Sequence, residues 1–409
     1  MMVLFMTCLL VMFLNLSPTE HLTSPTILPD SVFIHDLLQS QVSPSEQFIP
    51  LNLDDEKRRS TCSSPVSKIG FMKTHKTASS TVQNILFRFA LNSDWNLVLP
   101  THGSHLGPPG NQYQLTVPFR QHWIRDVPWT NMTSVQGYNL FALHTKWNQR
   151  EVENVMGEGT KYVTILRDPV DNFESLYNYV HFEKTFRMNL EEFVHQYIEQ
   201  RKPIQRINHY LGRNQQLWDL GVDRKNITNM RAVKEKIEEM DKSYDLVMIA
   251  EEFDASLVLL AEQLCWPLTN MTSLKINARK KSAVEKLSQE ARNILTDWLW
   301  ADKMLYDHFK KKLSRQKKTY GAKKLEEDIQ RLKDYNEKVK SECVLEAVKN
   351  TKNLSEDFVP WSKDVVAFRI NEEKNPFCKY YGISELHFIE ELRELQESRL
   401  KQWNAEMRH

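Results

Sequence analysis

Two lysines, a histidine and five hydroxyl side chains crowd the twelve residues Gly70–Thr81, GFMKTHKTASST. An apolar run leads into this segment and the amphipathic stretch Val82–Ala90 leads out of it. The pattern predicts a strand, a tight turn and a helix N-terminus. At such a place backbone N–H groups lack intrahelical partners and the positive end of the helix dipole gathers. The chemistry suited to it is the binding of an anion such as phosphate or sulfate.

A nucleotide-triphosphate loop reads G-x-x-x-x-G-K-[ST]. Gly70, Lys76 and Thr77 fit that pattern, but His75 stands where the second glycine belongs. A triphosphate enzyme also needs a carboxylate at a neighbouring strand end to hold Mg²⁺. The apolar run Tyr162–Leu166 ends instead in Arg167. A cation there repels Mg²⁺ and attracts phosphate. Transfer of a sulfuryl group, which carries less charge than a terminal phosphate, removes that need. Lys76 and backbone N–H donors then suffice to stabilise a leaving phosphate oxygen.

Arg167-Asp-Pro-Val-Asp-Asn-Phe-Glu-Ser175 supplies a second anion site. Open α/β sheets bind ligands at the carboxyl ends of their strands, where Arg167 falls. Pro169 suits a helix start. Ser175 follows about two turns later, so it shares an anion with Arg167 only if the helix runs back across the strand end. Arginine offers a planar fork to phosphate and serine one further donor. Two such sites on neighbouring strand ends favour a nucleotide with two separated phosphate groups.

The pairing of KTHKTASST (73–81) with ILRDPV and FES (165–175) resembles the galactose-3-O-sulfotransferase family. Glu252–Leu260 leading to Leu264–Trp266, and Leu274–Arg279, are similar to the same family, and the likeness spans roughly Lys68 to Phe309. It implies a P-loop-like sulfotransferase fold and a Golgi enzyme using 3′-phosphoadenosine 5′-phosphosulfate, with no metal. By that resemblance Lys76, Thr77, Ala78, Ser79, Ser80 and Thr81 wrap the 5′-phosphosulfate, and Lys73 at the head of the loop is a further candidate for binding the cofactor. Arg167 and Ser175 hold the 3′-phosphate, and Arg279 with Lys275 closes over the nucleotide. The acceptor is the 3-hydroxyl of a terminal β-galactose, on a glycolipid or on a glycoprotein glycan.

Sulfuryl transfer to a hydroxyl needs a proton acceptor, and histidine suits the task. Among 13 histidines, His144 stands out because it ends the apolar run Tyr138–Leu143. The resemblance also puts a histidine there. His144 is therefore the expected base and His75 an auxiliary. Aromatic faces stack on galactose, which points to Trp123, Trp129, Trp147, Tyr177 and Tyr179 beside the site. The aromatic insertion Leu91–Gln136 is where the choice of acceptor is expected to be made.

The elements that position these residues follow from hydrophobic periodicity. Strands are expected at Ser67–Met72, Tyr138–Leu143, Lys161–Leu166 and Tyr244–Ala250. Helices are expected at Ser79–Ala90, Trp147–Met156, Val170–Phe182, Leu190–Glu199, Phe253–Leu264, Ser282–Trp300, Lys303–Gln316 and Glu385–Trp403. Strands alternating with helices imply an α/β fold, a parallel sheet flanked by helices, with extra C-terminal helices. The Lys/Glu/Leu-rich stretch 317–349 reads as a long exposed helix. The organisation is an apolar segment at 1–16 (signal anchor or signal peptide), a stem at 17–66, the sulfotransferase domain at 67–316 and a charged helical region at 317–409.

The chain has 409 residues, 41% of them hydrophobic, and a net charge of +1, which gives no sign of a nucleic-acid partner. The N-terminal apolar run is shorter than the about 20 residues of a full span. With the sequons at Asn131, Asn226, Asn270 and Asn353 it favours the secretory lumen, and the family resemblance implies a single-pass type II Golgi-membrane protein with its catalytic domain lumenal. A homodimer is compatible with the sequence. Cys62, Cys265, Cys343 and Cys378 allow three pairings. Two rival readings remain: a nucleotide kinase with a degenerate loop, which would depend on Mg²⁺, and a non-catalytic lumenal carbohydrate-binding protein, which would not bind adenosine 3′,5′-bisphosphate.

Overall fold

A computed structural model describes residues 64–108, 115–125, 137–207, 209–274, 286–348, 354–360 and 365–406. Four short strands form a parallel sheet in the order β2-β1-β3-β4. They are β1 (Ile69–Met72), β2 (Leu140–Phe141), β3 (Lys161–Leu166) and β4 (Leu246–Ile249). Their sequences IGFM, LF, KYVTIL and LVMI are almost wholly buried. Near-continuous apolar strands of this kind belong to parallel sheets covered on both faces. Ile69 pairs with Leu140 on one side and Lys161 on the other, and Val163 pairs with Leu246.

The helices that position the site are α1 (Ser79–Asn92), α2 (Gln149–Met156), α3 (Pro169–Tyr179), α4 (Gln215–Asp219), α5 (Met230–Ser243), α6 (Phe253–Leu264), α7 (Gln289–Trp298), α8 (Trp300–Tyr320), α9 (Ala322–Cys343) and α10 (Glu385–Glu406). Both α6 and α8 pack on β4, while α2 lies against β1. After β1 the chain passes to β2 on one side, then returns to β3 on the other. The connections leaving β1 and β3 therefore diverge, which opens a crevice at their carboxyl ends.

Gly70 sits inside β1 rather than in the turn. A Cβ there would meet the Tyr162 ring at 2.5 Å, so this glycine serves strand packing. The expected helix over Leu190–Glu199 is an α-helix to Phe193 and a π-helix over Val194–Glu199. The strand expected at Tyr138–Leu143 shortens to Leu140–Phe141.

The long exposed helix expected over 317–349 is corrected. Gly321, with φ of 99°, separates α8 from α9, and Val344–Val348 is strand β5, antiparallel to β6 (Ala367–Ile370). Although charged, α9 buries Leu325, Leu332 and Val339, one stripe at a seven-residue spacing, and packs against α6. Charge density alone hid that stripe.

A disulfide joins Cys343 to Cys378, and Cys265 is disulfide-bonded as well. The first bridge closes a loop of sequence separation 35, worth roughly 3–4 kcal/mol in the chain-entropy account. Cys378→Ser is expected to lose about that much. Denaturant titration of the oxidised variant against wild type measures it, and an unchanged midpoint would show that the bridge adds no stability.

Candidate active site

The turn after β1 is built by its own hydroxyls. Thr74 Oγ1 donates to the Ile165 carbonyl at 2.6 Å and lies 2.7 Å from Thr77 Oγ1. Ser79 Oγ donates to the Thr74 carbonyl at 2.6 Å. Thr77 and Ser79 thus brace the loop from within, and what they offer a ligand is backbone N–H. Lys76 and Ala78 are both left-handed, with φ of 60° and 68°. Alternation of left-handed residues turns successive N–H groups to one side and makes an anion cradle. Ala78 N-caps α1 without a side-chain hydrogen bond, so the first N–H groups of the helix are not capped by their own sequence.

Arg167 reaches this loop directly: its Nη1 donates to the Lys76 carbonyl at 3.2 Å. Its backbone is fixed by Gln216, which accepts from Arg167 N at 2.8 Å and donates to Arg167 O at 3.0 Å. Asp168 caps α3, accepting from Val170 N and Asp171 N, and Pro169 occupies the first turn. Asn172, one turn further, donates to the His75 carbonyl at 2.7 Å. The start of α3 therefore lies against the loop after β1. Ser175 is on the buried face of the same helix. Lys76 Nζ stands 4.0 Å from the centre of the Tyr179 ring.

Three histidines meet beside the loop. His144 stacks on His75 with ring centres 4.3 Å apart and on His105 at 5.2 Å. His75 is held by Asp219, which accepts from His75 N at 2.8 Å and lies 2.9 Å from Nδ1 through both oxygens. A carboxylate only accepts, so Nδ1 carries the proton and Nε2 is left as the acceptor of the neutral ring. Gln215 donates to Asp219 at 2.8 Å, and α4 as a whole hangs from Asp302, which accepts from Gln216 N and Leu217 N. His144 differs. It is partly exposed as a residue, its Nδ1 is sealed from water, and its ring lies against the Lys73 backbone. Burial, then the charge of Lys73, pushes its pKa well below the ordinary value. Burial with His75 and Lys73 pulls His105 down to about 3.

A sequence profile described as Galactose-3-O-sulfotransferase matches residues 8–395. The chain belongs to the galactose-3-O-sulfotransferase family. Its relatives include mouse galactosylceramide sulfotransferase, 29% identical over 80% of this chain and 78% of that protein. Human galactose-3-O-sulfotransferase 2 is 32% identical over 70% and 71% of the two chains. Mouse galactose-3-O-sulfotransferase 3 is 31% identical over 76% and 71%.

In this family member the loop residues Lys73–Thr81, Arg167 and His144 come together, while Ser175 lies on the buried face of α3. Lys275 and Arg279 lie outside the described residues, as do Trp129 and the sequons at Asn131 and Asn353. The aromatic expectation is corrected: Trp123, Trp147 and Tyr177 are core residues, and of the four described only Tyr179 is exposed, at 44%. Aromatic side chains at strand ends and on helix faces were packed inward because the sheet needs cover. Sequence reasoning missed Asp219, Asn172, Gln216 and Glu385. Nothing local in the sequence marks them, since each acts on a residue distant in the chain. Among the described residues no cluster of metal-ligating side chains and no helix long and apolar enough to cross a membrane occurs.

Proposed function

We propose that this galactose-3-O-sulfotransferase moves the sulfuryl group of 3′-phosphoadenosine 5′-phosphosulfate to the 3-hydroxyl of a terminal β-galactose on a glycolipid or glycan, within a P-loop-like sulfotransferase fold. The observation that carries the reading is the contact of the Arg167 guanidinium with the Lys76 carbonyl. It supports reading the two anion cradles at adjoining strand ends as one site. The uncapped, left-handed start of α1 fits the phosphosulfate. Arg167, with Ser175 on α3, fits the separate 3′-phosphate. Lys275 and Arg279, outside the described residues, remain candidates for the nucleotide site on the family resemblance alone.

When bound, the donor supplies a sulfuryl group already activated by its phosphate leaving group. Lys76 neutralises charge on the leaving phosphate oxygen. His75 Nε2 accepts the proton of the attacking hydroxyl, and Asp219 keeps that nitrogen in the accepting tautomer and stabilises the imidazolium formed. This reverses the roles expected of the two histidines. His75 has a carboxylate to orient it and to stabilise its cation, while burial disfavours the charged form of His144. His144 instead stacks on His75 and fixes its ring plane. Tyr179, exposed at the loop, offers a face to the sugar.

A lumenal Golgi location, with membrane attachment through the N-terminal segment, belongs to the same proposal. The Cys343–Cys378 disulfide supports an oxidising compartment. The test of function is transfer of radiolabelled sulfate from the donor to a panel of galactolipids and galactose-ended glycans, in excess chelator, with linkage mapping. Label at galactose O3 is the expected result. Label elsewhere, or transfer that needs Mg²⁺, overturns it.

A further inference from the structure

We propose that Glu385, at the start of the C-terminal helix α10, is a positioning residue of the donor loop, clamping its two ends. The inference rests on the donor site described above. Lys73 leaves β1 at the beginning of the loop, and Ser80 lies in the first turn of α1 at its end. The Glu385 carboxylate touches both. Its Oε1 is 2.5 Å from Lys73 Nζ, a close ion pair without the alignment of a hydrogen bond, and its Oε2 accepts from Ser80 Oγ at 3.4 Å. Lys73 has no exposure to water. A buried ammonium without a partner carries a large desolvation cost, and Glu385 is the carboxylate that offsets it. Burial pulls the Lys73 pKa down, and Glu385 acts against that pull.

The carboxylate is delivered by a rigid support. Ser384 N donates to the Asp357 carbonyl at 2.6 Å, Asn84 Nδ2 donates to the Tyr380 carbonyl at 2.8 Å, and the Phe388 ring meets Phe87 edge-on at 5.4 Å. The Cys343–Cys378 bridge anchors the chain just upstream. A side chain held this firmly is suited to fix its partners rather than to yield to an arriving ligand. It also leaves Lys73 neutralised in place, so the cation facing the leaving group is Lys76.

The test is binding of adenosine 3′,5′-bisphosphate to the full chain by calorimetry, with steady-state kinetics for both substrates. Glu385→Ala is expected to weaken bisphosphate binding at least tenfold while the KM for the galactose acceptor stays within twofold. Glu385→Asp, which keeps the charge at shorter reach, is expected to recover part of the loss. Should Glu385→Ala fail to fold, the isosteric Glu385→Gln, which removes the ion pair with Lys73, is read against the same tenfold threshold. Tighter binding would mean that Glu385 competes with the donor, and unchanged binding with a lower melting temperature would mean that it only stabilises the fold. Either outcome overturns the proposal. Failure of the wild-type chain to bind the bisphosphate would instead sink the donor site itself, and the clamp with it.

Discussion

Replacing His75 by alanine is expected to lower kcat about 100- to 10,000-fold, the usual cost of losing a general base, with bisphosphate affinity within threefold of wild type. The contrast with His144 makes the result decisive. His144→Ala removes a stacking neighbour of the ring, and at least a tenth of the wild-type turnover is expected to remain. Asp219→Asn is expected to behave like a milder His75→Ala. An amide in that place no longer enforces a protonated Nδ1, so the ring spends time with Nε2 protonated and unable to accept. Single-turnover kinetics of the three variants measure the chemical step directly. A collapse of turnover in His144→Ala alongside a nearly normal His75→Ala would return the base to His144.

Lys76→Ala is the second large effect. Removing a donor aimed at developing charge costs about 100- to 1,000-fold in kcat. The lost charge-assisted contact to the phosphosulfate weakens donor binding roughly 10- to 100-fold. Both losses report charge rather than backbone. Lys76 has φ of 60°, and alanine at that position meets the same left-handed strain, so the turn keeps its shape. Lys76→Arg keeps the charge and is expected to recover part of the affinity. The measurement is bisphosphate titration beside initial rates at saturating donor. Loss of affinity without loss of kcat would assign Lys76 to binding alone.

Much of this was legible in the chain because the informative residues are close in sequence. The loop Lys73–Thr81 and the segment Arg167–Ser175 announce a strand end and a helix start by composition, and the continuous apolar runs at 161–166 and 244–250 announce buried strands. The joining of Arg167 to Lys76 was an inference that only three dimensions display. Asp219 and Glu385 were invisible for a physical reason. Asp219 lies on the five-residue helix α4, too short for any periodic signal, and Glu385 heads a helix that looks like a solvated charged segment. Trp147 and Tyr177 misled for the opposite reason. An aromatic near a site and an aromatic in a core look alike in one dimension, and the core took both.

The contact between Ser80 and Glu385 spans 305 positions of the chain. During synthesis the loop after β1 leaves the ribosome early, while the carboxylate paired with Lys73 emerges only with α10. Until then Lys73 lacks the carboxylate it is paired with in the folded chain. A chain truncated before α10 would therefore keep the segments Lys73–Thr81 and Arg167–Ser175 and lose both contacts to Glu385.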